Sequence, residues 1–172
     1  MQLINCTREH ASQMLEIFNE TIENSTALYD YKPRTMENMG QWFENKEKAS
    51  YPVIGLFNDQ GTLMGFGSYG AFRAWPAYKY TVEHSLYVHR DFRGKGFGRI
   101  ILSEIIAQAQ RQDYHNVIAG IDSTNQVSIA LHRSLGFEYC GIIKHAGYKF
   151  SRWLDLEFYQ LILTTPLKPV EG

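Results

Sequence analysis

Arg93-Gly94-Lys95-Gly96-Phe97-Gly98, RGKGFG, stands where two kinds of periodicity meet. Upstream, Val82, His84, Leu86 and Val88 alternate with Glu83, Ser85, Tyr87 and His89, which predicts a strand over 80–89. Downstream, RIILSEIIAQAQ repeats its apolar residues at helical spacing, which predicts a helix to about Gln112. The glycines therefore sit at a strand-to-helix junction. A helix start exposes unpaired N–H groups and the positive end of the helix dipole, so it favours an anion. Arg93, Lys95 and Arg99 add charge able to pair with phosphate. A glycine-rich turn with no ligand is the competing reading, and the glycines alone leave the two level.

Spacing excludes the best-known phosphate motifs. A dinucleotide fingerprint needs G-x-G-x-x-G, whereas Gly94, Gly96 and Gly98 give G-x-G-x-G with Arg99 next. A Walker loop needs Ser or Thr after its Gly-Lys, and here Gly96 follows Gly94-Lys95. The kinase set of H-R-D with a spaced Asn, and D-F-G, is missing.

Working outward, Leu3–Cys6 reads as a strand, and Thr7 can cap a helix carrying Ala11, Met14, Leu15, Phe18 and Ile22. Thr35 can cap a second helix with Met39, Trp42 and Phe43. Residues 52–57 and 62–70 flank the turn NDQG and read as a hairpin. After the glycine loop and its helix, VIAGI marks a buried strand over 115–122. Asn125 can cap a helix ending at Gly136, and strands follow at 137–143 and 153–163. Antiparallel strands first, then strand–helix–strand–helix–strand, make an α/β domain with a mixed sheet.

The chain has 172 residues, enough for one domain, placed at 1–163 with the tail 164–172, TTPLKPVEG, loosely held. Net charge is −1, so no basic field points to nucleic acid. No apolar run approaches a membrane span, and the start lacks signal-peptide character, which makes the cytoplasm the expected location. Cys6 and Cys140 make neither a disulfide framework nor a zinc pattern, and both are expected to be buried. No H-E-x-x-H or other metal spacing occurs, so no metal is expected.

VHRDFRGKGFGRIIL resembles the acyl-CoA pyrophosphate loop of the GNAT superfamily of N-acetyltransferases, with the R-x-x-G-x-G core at Arg93, Gly96 and Gly98. TVEHSLYV, AGIDSTNQVSIALHRSLGF and GYKFSRWLDLEFYQL resemble its phosphinothricin, methionine sulfoximine and methionine sulfone branch, and the likeness covers nearly the whole chain. The resemblance implies the GNAT acyl-CoA N-acyltransferase fold, a mixed central sheet splayed around acetyl-CoA and flanked by helices. It implies acetyl-CoA as co-substrate, a small amino-acid-like acceptor and a homodimer.

It also implies roles. Leu86, Tyr87 and Val88 would offer backbone groups to pantetheine, and Arg93, Gly94, Lys95, Gly96, Phe97, Gly98 and Arg99 would hold pyrophosphate. Asn125, a plain N-cap on its own reading, and Ser128 would add contacts to the pantetheine arm. Phe72, Arg73, Ala74, Trp75, Glu83, His84 and Ser85 would bind the acceptor. Arg73 can fork onto a carboxylate, with Phe72, Trp75 and Tyr78 as aromatic walls. Glu83 is the candidate base, directly or through water, against the competing reading of a salt-bridged strand Glu. His132 would serve as acid, base relay or orienting group, against that of a surface histidine. The readings left open are another small amine or a peptide N-terminus as acceptor, a non-catalytic CoA-binding sensor, and a nucleotide-phosphate binder.

Overall fold

The computed structural model describes residues 1–171, and Gly172 of the expected tail lies outside them. The chain divides into two compact units, Met1–Tyr69 with Ser85–Ile105, and Gly70–His84 with Ile106 onward.

In the first unit β1 (Gln2–Asn5) pairs antiparallel with β2 (Val53–Phe57), and β2 with β3 (Leu63–Ala71). The expected hairpin is present. Its turn closes because Asn58 Oδ1 accepts the N–H groups of Gln60 and Thr62 at 3.0 and 2.9 Å. β4 (Thr81–Val88) follows β3 in the hydrogen-bonded order. Gly67 explains how closely these strands are backed. A Cβ there would stand 2.9 Å from the Ser85 carbonyl oxygen and 2.3 Å from Ile105 Cδ1.

The helices α1 (Ala11–Asn24) and α2 (Met36–Lys48) belong to this unit. Thr7 caps a short 3-10 turn, Arg8–His10, from which α1 continues. Thr35 caps α2 reciprocally with Asn38, at 3.2 and 2.9 Å. Met14, Phe18, Met39, Phe43, Phe66 and Tyr87 share one core, in which the Phe18 ring meets Phe66 at 4.9 Å and Tyr87 at 5.1 Å. α3 (Phe97–Arg111) starts here, with Ile101, Leu102 and Ile105 fully buried.

In the second unit β4 meets β5 (Asn116–Asp122) in parallel at Thr81–Glu83 against Asn116–Ile118. β5 runs antiparallel to β7 (Arg152–Ile162), and β7 to β6 (Glu138–Lys149). The strand order is thus β1-β2-β3-β4 in the first unit and β4-β5-β7-β6 in the second. α4 (Gln126–Ser134) connects β5 to β6.

Three expectations change. β6 runs to Lys149 rather than stopping at 143, because register shifts at Tyr139/Gly141 and Ile143/Gly147 break its alternation. Cys140 is exposed, since β6 is the last strand in the order, whereas Cys6 is buried as expected and its thiol is pushed up to about 12 by burial. The tail is pinned rather than loose. His115 Nδ1 lies 2.7 Å from the Thr165 carbonyl oxygen, and the Tyr80 hydroxyl accepts the Val170 N–H at 3.1 Å.

Candidate active site

β4 ends at Val88, a short 3-10 turn spans Arg90–Phe92, and α3 begins at Phe97, so the glycine loop sits at the predicted junction. Gly94 and Gly96 have φ of +74° and +81°, the left-handed region that side chains disfavour. A Cβ on either would meet nothing within 4 Å. The glycines are therefore not relieving a clash. They turn the backbone and leave clear space over it. That space, at the first N–H groups of a helix, fits a pyrophosphate.

The basic side chains are placed differently from expectation. Arg93 points back into the protein, where Nε donates to the Val88 carbonyl at 3.1 Å and both terminal nitrogens donate to the Glu20 carboxylate of α1. Lys95 Nζ donates to the Asp91 carbonyl at 2.9 Å. Both cations thus also brace the loop. Arg99 is exposed on the first turn of α3. Tyr87 is buried in the aromatic core, Leu86 and Val88 are half-buried, and Ser85 keeps its carbonyl against Gly67.

In the second unit Glu83 stands opposite Ile118 in the β4–β5 ladder and is half-buried. A Cβ at Gly120, the next position on that face of β5, would lie 3.0 Å from Glu83 Oε1. Gly120 is exposed although it lies within a strand paired to β7. It is an open floor beside the carboxylate. Burial pushes the Glu83 carboxyl up from its ordinary value, and the Arg73 guanidinium partly offsets this. Arg73 is stacked 4.2 Å over the Phe72 ring and donates to the Phe72 carbonyl at 2.8 Å.

A cavity of about 460 Å³ on this unit is lined by Phe72, Tyr78, Thr81, Ile118, Cys140 and Phe158, among others. Phe72 and Tyr78 touch edge to face at 5.8 Å. Trp75 and Ala74 lie outside that lining and are exposed.

His84 lies on the opposite face of β4 from Glu83. It is buried, with its Nε2 2.9 Å from His132 Nε2 of α4 and its ring edge-on to Phe137 at 5.8 Å. Burial, then the neighbouring His132, push His84 down to about 3. Burial also lowers His132, partly offset by its hydrogen bond to the Ser128 carbonyl at 2.7 Å. Asn125 caps α4 by accepting the Ser128 N–H at 3.1 Å. Below it, Asp122 Oδ1 takes the Thr124 N–H at 2.8 Å and its hydroxyl at 2.5 Å, fixing the turn that presents Asn125. No group of three or more metal-ligating side chains occurs among the described residues.

The profile of the acetyltransferase (GNAT) family matches residues 12–137, which include the glycine loop, Glu83, Asn125 and His132. The chain belongs to the GNAT family of acetyltransferases. It is 41% identical over 150 residues to the L-methionine sulfoximine/L-methionine sulfone acetyltransferase of Pseudomonas aeruginosa, covering 87% of each chain. It is 40% identical over 154 residues to the L-amino acid N-acyltransferase MnaT of Escherichia coli, covering 90% of this chain and 89% of that one. A phosphinothricin acetyltransferase of Sinorhizobium meliloti, solved in complex with acetyl-CoA, superposes with a TM-score of 0.94 at 34% identity, over 99% of this chain and 94% of that one. The α/β fold with a mixed sheet is thus the GNAT fold, and the chain is an N-acetyltransferase. No helix among the described residues is long and apolar enough to cross a membrane.

Among residues the sequence did not single out, Gly120 had one available signal. A glycine inside a strand marks a close approach or an open face. Glu20 and Asp122 had none, because a lone acid on a helix or a strand end is most often solvated.

Proposed function

We propose that the chain transfers the acetyl group of acetyl-CoA to the α-amine of a small amino-acid analogue of the methionine sulfoximine, methionine sulfone or phosphinothricin type. The observation that carries this is the half-buried Glu83 carboxylate beside the open Gly120 floor, with the Arg73 guanidinium acting on it. The names of the relatives from Pseudomonas aeruginosa and Sinorhizobium meliloti point the same way.

Bound acetyl-CoA supplies the activated acyl thioester. The loop from Gly94 to Gly98 holds its pyrophosphate through backbone N–H groups, and the amide nitrogen of Asn125 is left to meet the pantetheine arm after its oxygen has capped α4. Glu83 accepts a proton from the acceptor's ammonium, directly or through one water, leaving a neutral amine whose lone pair forms the new C–N bond as the C–S bond breaks; the CoA thiolate leaves, and the second proton, shed by the nitrogen as it becomes an amide, passes to that thiolate through solvent. Its raised pKa suits that task, because a weakly basic carboxylate gains proton affinity when desolvated. Arg73, outside the lining of the cavity, takes the acceptor's carboxylate, and Phe72 with Tyr78 encloses its side chain.

A thiol-release assay over methionine sulfoximine, methionine sulfone, phosphinothricin, the ordinary amino acids and simple amines tests the reading. Turnover on the first three, with simple amines inert, supports it; release only with carboxylate-free amines overturns it. Arg73→Ala gives a finer test. Losing a hydrogen bond to a charged group costs about 1.5–3 kcal/mol. The acceptor KM should rise by the matching factor, about 10- to 150-fold, with the acetyl-CoA KM unchanged. The same variant removes the charge that restrains Glu83, so the acid limb of the pH profile should move upward.

The working unit is taken as one N-acetyltransferase domain, 1–163, acting in the cytoplasm as a homodimer. Ile142, Ile143, Tyr148 and Trp153 expose apolar surface on β6 and β7 that a second copy would cover. Light scattering should report twice the chain mass, and a monomer at assay concentration removes the dimer.

A further inference from the structure

We infer that His84 is a positioning residue that locks His132 as a neutral ring with both nitrogens engaged, so that the pair orders the first turn of α4 instead of protonating the leaving thiolate. The tautomers follow from the partners. A carbonyl oxygen only accepts, so His132 Nδ1, 2.7 Å from the Ser128 carbonyl, carries the proton. A neutral imidazole has one N–H, which leaves a bare lone pair on His132 Nε2. That atom faces His84 Nε2 at 2.9 Å, so His84 must donate there. The proton of His84 is then on Nε2 and its Nδ1 is bare. Nδ1 of His84 is in fact a buried nitrogen with no partner among the described residues.

The surroundings keep the pair neutral. Phe137 lies edge-on to both rings, at 5.8 and 5.0 Å. Glu83 is on the other face of β4. Burial and the adjacent imidazole depress His84, and burial outweighs the Ser128 carbonyl at His132. A neutral pair that gave up a proton would leave an imidazolate in an apolar pocket. A pair that gained one would bury an unpaired cation. What the arrangement does is mechanical. His84 holds the His132 ring, the ring holds the Ser128 carbonyl, and the Ser128 N–H holds Asn125.

The decisive measurement is nitrogen NMR on the full chain labelled with 15N-histidine. His132 should show a protonated Nδ1 and an unprotonated Nε2, His84 the reverse, with neither ring titrating from about pH 5 to about pH 8, the range in which an ordinary histidine responds. A protonated Nε2 on His132, or a titration of either ring in that window, overturns the inference. These spectra need no variant and no turnover. The kinetic arm alone rests on the acetyltransferase reading, so an inactive wild-type chain would sink that reading and leave the NMR result standing.

In that arm, His84→Gln keeps an amide donor near the place of Nε2 and should retain activity within about tenfold, less than the 10²–10⁴-fold of a lost acid or base. His84→Leu, lacking the donor, should lose more, mainly in the acetyl-CoA KM through Asn125. His132→Asn, which can still donate to the Ser128 carbonyl, should keep both limbs of the kcat–pH profile. Loss of its basic limb would show that His132 is the acid for the thiolate and would overturn the inference.

Discussion

Glu83→Gln should lower kcat at neutral pH by about 10²–10⁴-fold, the usual loss when a positioned acid or base is removed. Glutamine keeps the shape beside Gly120 and still accepts a hydrogen bond, so the acceptor KM should change little. It cannot take a proton. In the wild type, activity should fall as pH drops through the carboxyl's folded value, which burial holds above its ordinary 4.5 against the pull of Arg73. That acid limb should vanish in the variant, and the deficit should shrink as pH rises and more of the acceptor is already a free amine. A variant that keeps the wild-type limb and rate would remove Glu83 from proton transfer. Gly120→Ala is a companion probe. Its Cβ falls 3.0 Å from Glu83 Oε1, so it should displace the carboxylate and lower kcat without touching the acid itself.

The second large effect is expected at the glycine loop. Gly96→Val places a β-branched residue at a φ of +81° and sets its side chain in the open space over the backbone. Holding such a residue there costs of order 1–3 kcal/mol. A hydrogen bond to a charged phosphate lost by the shifted backbone costs about 1.5–3 kcal/mol. A loop that shifts sheds the strain but loses the bond, so either cost alone weakens CoA binding by about 5- to 150-fold. Calorimetric titration of the folded variant with CoA checks it, with circular dichroism confirming the fold. Unchanged affinity would take the pyrophosphate off this loop.

Much of the architecture was legible locally. The junction at RGKGFG, the alternation along β4, the hairpin at NDQG and the cap at Asn125 each depend on a few consecutive residues, so propensity and periodicity expose them. Where the pattern was interrupted, the reading failed. The shifts in β6 cost it six residues at its end, because a bulge moves side chains to the other face and erases period-two order. The importance of Glu83 was not legible from its strand alone. It rested on the family resemblance, since an isolated acid on a strand is most often solvated.

By itself the sequence determined the order of elements, the mixed α/β class and the position of a glycine-rich helix start, all properties of short stretches of chain. Only the tertiary structure decided which groups each charged and titratable side chain meets. Glu20 and Arg93 are 73 positions apart, and their pairing braces the loop against α1. His84 and His132 are 48 apart, and their 2.9 Å contact is what the proposed tautomers rest on. Gly120 matters because Glu83 lies beside it across a parallel ladder. The physical reason is common to all three. Backbone conformation is governed by neighbours along the chain, whereas protonation, ion pairing and access are governed by whatever groups folding brings within a few ångströms, and no local pattern records that.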